Sequence, residues 1–108
     1  MPNPSNTLHL GDVAITILSN SNELTVSELV IPASSVASVH HHPHEEVNYV
    51  IAGKLVFMCD GETRTLGPGD AIRIPPNKPH NITCSPESDG RVISIWTPSR
   101  KDLIDILK

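Results

Sequence analysis

An all-β barrel with one short C-terminal helix is the fold this chain predicts. Three observations point there. Apolar residues alternate with small or polar ones in short runs, the period that puts every second side chain on one face of a strand. Ten prolines and six glycines punctuate the chain too often for long helices. Helical spacing occurs only after Pro98, at the very end. Many short strands without an intervening helix leave a sandwich or a barrel, and closing the sheet removes exposed edges while enclosing a small cavity.

Each element follows from local chemistry. Val13, Ile15 and Ile17 alternate in a first strand that Ser19-Asn20-Ser21-Asn22 interrupts. Residues 23–31 form a second strand, closed by Pro32, and residues 35–42 a third. Residues 47–52 lead to a bend at Gly53, and 54–59 continue to Asp60-Gly61, a tight-turn pair, with 62–66 as the returning strand. Gly67-Pro68-Gly69-Asp70 turns into a strand over 71–74, and Pro75 to Pro79 make a stiff loop. Residues 80–84 and 91–97 complete the strands. Ser99 with Asp102 fits a capping box, and Leu103, Ile104 and Leu107 form one apolar helical face, expected to pack outside the barrel or on a neighbouring subunit.

The 108 residues suit one domain over the whole chain, 1–108, with enough length to bury a core without disulfides. A net charge of −4 with scattered basic residues argues against nucleic acid and anionic membranes as partners. No apolar run approaches the roughly eighteen residues a membrane span needs. The opening residues show neither the basic nor the apolar segment of a secretory signal, so a cytoplasmic location is expected. Cys59 and Cys84 have no CxxC spacing and read as small apolar residues. A homodimer is expected, because a small barrel has sheet edges to cover.

Six histidines are many for this length, and four of them fall between positions 40 and 44. In a strand His40 and His42 point the same way, His41 the other. Glu46, opening the next strand, can swing its carboxylate back towards them, and His80 follows the stiff proline loop. Three imidazoles and a carboxylate suit Fe, Mn, Ni, Co or Zn, and the lack of thiolates disfavours a structural zinc site. By itself, a His-x-His pair is equally an incidental surface run. Asn48 shares the phase of Glu46 and is a candidate pocket residue; Tyr49 has the opposite phase and reads as core. His44 reads as a solvated loop residue, and His9 has no partner.

The stretch from His40 to Gly53 resembles the first cupin motif, HxHxxxE followed by six residues and glycine. Gly69 to His80 resembles the second, with Asn77 where glycine is frequent and Cys84 where the motif often ends in asparagine. The resemblance implies a jelly-roll barrel holding one divalent metal ion on His40, His42, Glu46 and His80. Four such ligands would leave about two positions of a six-coordinate ion for water or substrate.

Cupins include isomerases, dioxygenases, decarboxylases, lyases, sugar-binding regulators and storage proteins, so the fold does not name a reaction. Arg91 to Leu103 resembles the end of single-domain cupins from pectin and alginate breakdown, which linearise 4,5-unsaturated monouronates to 4-deoxy-5-keto uronates. That resemblance implies a small acid or sugar substrate, Arg100 on its carboxylate and Trp96 against the ring. Ser94 stands where an aspartate for proton transfer is expected, and an unperturbed hydroxyl is a poor acid or base near neutrality. Ser94 and Trp96 share one strand face, Ile93 and Ile95 the other. An iron- or manganese-dependent dioxygenase or decarboxylase on the same ligands, and a non-catalytic ligand-binding module, are the alternatives.

Overall fold

The computed structural model describes residues 6–107. Nine strands and one helix are arranged as two facing sheets: β1 (Thr7–Leu10), β2 (Val13–Asn20), β3 (Thr25–Ile31), β4 (Glu45–Ala52), β5 (Leu55–Cys59), β6 (Glu62–Leu66), β7 (Ala71–Ile74), β8 (His80–Cys84), β9 (Gly90–Thr97) and α1 (Lys101–Ile106). One sheet has the order β1-β2-β3-β9-β4-β7 and the other β6-β5-β8. This is a jelly roll in which the two hydrogen-bonded ladders face each other rather than forming one continuous closed ladder.

The alternation read from the sequence is the alternation of burial. Thr25, Ser27, Leu29 and Ile31 of β3 face inward. So do Glu46, Asn48 and Val50 of β4, and Val92, Ser94 and Trp96 of β9. Ile31, Val50, Leu55, Phe57 and Val92 have no exposed surface and pack together in the core between the sheets. The bend after β4 needs glycine: Gly53 has φ +90°, and a Cβ there would lie 2.7 Å from the Asp89 carbonyl oxygen and 2.8 Å from Gly90 Cα. Asp60 and Gly61 both take positive φ, the conformation of a two-residue hairpin turn, and join β5 to β6.

Five details differ from the reading of the sequence. The short run Thr7–Leu10 is a strand, pairing Leu8 with Ile15 and covering the edge of β2. Residues 35–42 are not a regular strand. Their ladder pairing with β8 is confined to isolated bridges at Val36↔Thr83 and His40↔His80, because Ser34 takes a positive φ and the segment lacks the apolar alternation that would hold both faces. Tyr49 is 45 % exposed, so the face opposite Glu46 looks outward instead of into the core. The capping box is not made: Arg100 is the N-cap residue of α1 without a side-chain cap bond, and the Asp102 carboxylate accepts hydrogen bonds from the Arg100 guanidinium at 3.0 and 3.1 Å. Leu103 of α1 is buried in the core cluster, so the helix closes one side of the interior instead of riding on the outside. No helix among the described residues is long and apolar enough to cross a membrane.

Candidate metal centre

The histidines converge although the segment that carries two of them is irregular. A pair of backbone hydrogen bonds, His40 N–H to His80 O at 3.1 Å and His80 N–H to His40 O at 2.9 Å, ties that segment to the start of β8. The two rings are thereby brought to 4.3 Å between centroids, and the His42 ring lies 4.9 Å from that of His80. One ring nitrogen from each of His40, His42 and His80 lies within 4.8 Å of the other two. His42 and His80 are buried; His40 stands at the exposed rim.

The second nitrogen of every ring is occupied. His40 Nδ1 donates to the Ser38 carbonyl at 3.0 Å, His42 Nδ1 to the His44 carbonyl at 3.1 Å and His80 Nδ1 to the Lys78 carbonyl at 2.8 Å. A carbonyl can only accept, so each Nδ1 carries a proton, and Nε2 is the atom that each ring can offer to a metal. These three carbonyl anchors are invisible in sequence motifs, since the backbone of any residue can supply them.

Glu46 sits beside this centre on β4. Its Oε1 is 3.0 Å from His42 Nε2 and 3.6 Å from His80 Nε2. It also accepts a 2.6 Å hydrogen bond from the Trp96 indole, while Oε2 accepts from the Asn48 amide at 2.7 Å. Burial would raise the pKa of this carboxyl, but His42, His80 and Asn48 outweigh it and hold the group ionised well below the usual carboxylate range. Burial also lowers His40, unopposed enough to leave its pKa reduced. At His80 the same burial is outweighed by the Glu46 carboxylate and the Lys78 carbonyl, and the pKa rises.

The donor set fits a divalent cation. A neutral His42 anchored at Nδ1 would meet Glu46 Oε1 lone pair to lone pair, a contact that a bound cation or a proton on Nε2 relieves. His80 Nε2 is buried with no hydrogen-bond partner, a costly state for a polar atom unless something else takes its lone pair. Three imidazoles and a carboxylate oxygen are the ligand types preferred by Fe, Mn, Ni, Co and Zn.

A cavity of about 340 Å³ opens onto this cluster. His40, Glu46, His80, Trp96 and Arg100 line it, together with apolar residues such as Leu29, Ile31 and Ile82. Of the substrate residues expected from the sequence, Trp96 and Arg100 are therefore at the cavity. The Arg100 guanidinium lies 4.8 Å above the Trp96 ring, with its fork occupied by Asp102. Ser94 and Asn48 have no exposed surface. The Ser94 hydroxyl donates to Asn48 Oδ1, which places both behind Glu46 and away from the cavity wall. His41 is exposed, while His44 is half-buried, with its pKa lowered by burial and by Arg100.

The Cupin domain profile matches residues 27–96, more than half of the chain and all of the site just described apart from Arg100. The chain belongs to the cupin family. Among curated relatives it is 34 % identical over 83 residues to an acireductone dioxygenase of Bacillus thuringiensis subsp. konkukian, covering 72 % of this chain and 45 % of that one. It is 36 % identical over 61 residues to the dimethylsulfoniopropionate lyase DddQ of Ruegeria pomeroyi, covering 56 % and 30 %. This cupin thus spans at most about half the length of the curated relatives it matches first. Solved structures match more completely. KdgF from Halomonas sp. superimposes with a TM-score of 0.83 at 26 % identity, covering 90 % of this chain and 89 % of that one. An RmlC-like cupin from Shewanella frigidimarina gives 0.82 at 28 %, covering 89 % and 86 %.

Proposed function

We propose that this cupin is a metal-dependent enzyme acting on a small organic acid, with linearisation of 4,5-unsaturated monouronates as its reaction. The observation that carries the metal-dependent part is the convergence of three carbonyl-anchored imidazoles on one point beside a cavity. His40, His42 and His80 would hold the ion through Nε2, with a carboxylate oxygen from Glu46. A divalent ion there supplies a Lewis acid that polarises a substrate oxygen, and an acidified water.

The remaining residues position the substrate. Arg100, buried at the cavity wall, offers a planar two-pronged donor for the substrate carboxylate once Asp102 yields its place. Trp96 presents its ring at the same wall and stacks against the flat, unsaturated part of the sugar. Ser94 keeps its hydroxyl proton on Asn48 and takes no part in proton transfer. The apolar residues that share the cavity lining exclude water from the reacting edge. The C-terminal segment from Arg91 to Leu103, similar to the uronate-linearising subgroup, supports the specific substrate.

Freshly generated 4,5-unsaturated galacturonate mixed with metal-loaded protein should lose its conjugated double bond faster than the blank and faster than with His80→Ala. Equal rates in all three would rule out the uronate reaction. The dioxygenase reading is favoured by the acireductone dioxygenase match over 83 residues. Oxygen uptake separates it, because linearisation is redox-neutral.

A further inference from the structure

β4 and β9 are antiparallel neighbours, and their register sets two inward-facing pairs directly opposite each other: Glu46 with Trp96, and Asn48 with Ser94. The four side chains make one continuous chain of hydrogen bonds. Ser94 donates its hydroxyl to Asn48 Oδ1, Asn48 Nδ2 donates to Glu46 Oε2 at 2.7 Å, and Trp96 Nε1 donates to Glu46 Oε1 at 2.6 Å. Ser27 on β3 fixes the far end, its hydroxyl donating to the Ser94 carbonyl at 3.1 Å. Both carboxylate oxygens are thereby held from the side away from the histidines. All four residues are at most 4 % exposed.

The direction of these bonds is informative. An Asn amide flips freely between two orientations in a polar pocket, and only one of them puts its NH₂ on a carboxylate. The Ser94 hydroxyl removes the choice: by donating to Oδ1 it leaves Nδ2 to face Glu46. A carboxylate with both oxygens engaged has lost its χ rotation as well. It meets the ion in one pose, without an ordering cost at the moment of binding.

We infer that Trp96, Asn48 and Ser94 are positioning residues that hold Glu46 in a single orientation toward the three histidines. The inference rests on the proposed metal site. It assigns Ser94, the residue that stands where an acid is expected, a task that needs no proton transfer. Trp96 then has two faces of use: its N–H serves Glu46 while its ring lines the cavity.

Metal binding tests this without any substrate. Chelator-stripped parent protein and the variants Trp96→Phe, Asn48→Leu and Ser94→Ala are titrated with Co²⁺, reading the dissociation constant by calorimetry and the ligand field by visible absorption. Loss of a partner to a ligating group weakens binding about 10–100-fold, and that loss is expected for Trp96→Phe and Asn48→Leu, with a changed Co²⁺ spectrum. Ser94→Ala should weaken binding less but in the same direction, and Ser94→Thr should restore it. A thermal melt of each metal-free variant checks folding. If Asn48→Leu does not melt cooperatively, the Ser94 pair decides, since it changes a single hydroxyl two hydrogen bonds from the ion. Cooperative melts with Co²⁺ affinity and spectrum equal to the parent would overturn the inference and leave the seam as packing. Absence of Co²⁺ binding by the parent would overturn the metal site and this inference together, whereas uronate inactivity with the variant effects intact would cost only the proposed substrate.

Discussion

The seam between β4 and β9 changes character half-way along its length. Toward one end Val50 faces Val92, both without exposed surface, and Leu55, Phe57 and Ile31 pack with them in the same apolar cluster. Two residues further along each strand the inward pairs become Asn48 with Ser94, then Glu46 with Trp96. Burial is as complete at both ends, yet one end is held by apolar contact and the other by hydrogen bonds. Removing polar groups from water costs free energy unless each finds a partner, so the polar end makes sense only as a connected network. Beside that network, His80 Nε2 is buried without a hydrogen bond. The apolar end needs nothing further to be stable; the polar end is built around something it can bind.

The contrast breaks first where the ligands are removed. His80→Ala takes away the orphaned nitrogen and one side of the cluster, and should abolish metal binding while leaving a folded protein, as read by calorimetry and circular dichroism. At the apolar end Phe57→Ala should cost about 3–5 kcal/mol of stability in denaturant melts, because it opens a cavity in a close-packed region. The folded fraction should bind metal as before; a parallel loss of affinity would mean that the two ends are not separable. Glu46→Gln keeps the shape but puts an NH₂ where a second acceptor is needed, against either Trp96 or Asn48. One buried donor is then unsatisfied, a cost of about 1–3 kcal/mol in the metal-free protein.

The smallest effect belongs to the rim. Arg100 lowers the pKa of Asp102 by hydrogen bonding to the ionised carboxylate, so the pair favours the folded state only while Asp102 is charged. That contribution is present above the ordinary carboxylate range, near pH 4, and fades as the pH falls through and below it. Asp102 is 57 % exposed at its side chain, so Asp102→Asn should cost only roughly 0.5 kcal/mol at neutral pH, and less in acid. A larger loss would place this pair with the buried network instead of the rim.

Much of the site was legible because strand phase is arithmetic. His40, His42 and His80 are brought together, with Glu46 and Asn48 on the inward side of one strand and Ser94 and Trp96 on the inward side of another. What strand phase does not carry is which strands are neighbours. The pairing of β9 with β4 turns Trp96 from a ring on a wall into a donor to Glu46, and takes Ser94 out of reach of the cavity. Residues 35–42 read as a strand because they form one of the short runs set off by turn residues. Ligand convergence there comes instead from the reciprocal backbone pair between His40 and His80, a long-range contact that local alternation does not encode. The Ser99 and Asp102 spacing fits a capping box, but the neighbouring guanidinium of Arg100 is a stronger partner for the Asp102 carboxylate than a backbone amide. The core end was simpler: apolar alternation over 54–59 and 91–97 places Leu55, Phe57 and Val92 inside without any knowledge of their partners.

The claim that the polar end is a metal site is tested most directly by a thermal melt of chelator-stripped protein with and without Ni²⁺, run beside His80→Ala. Ligand that binds only the folded state stabilises it by about 2.7 kcal/mol at a concentration 100 times its dissociation constant. The parent should therefore show a saturable rise in melting temperature at one equivalent per chain, and His80→Ala should show none. A parent protein whose melt is unmoved by Ni²⁺, Co²⁺, Mn²⁺, Fe²⁺ and Zn²⁺ would contradict the account.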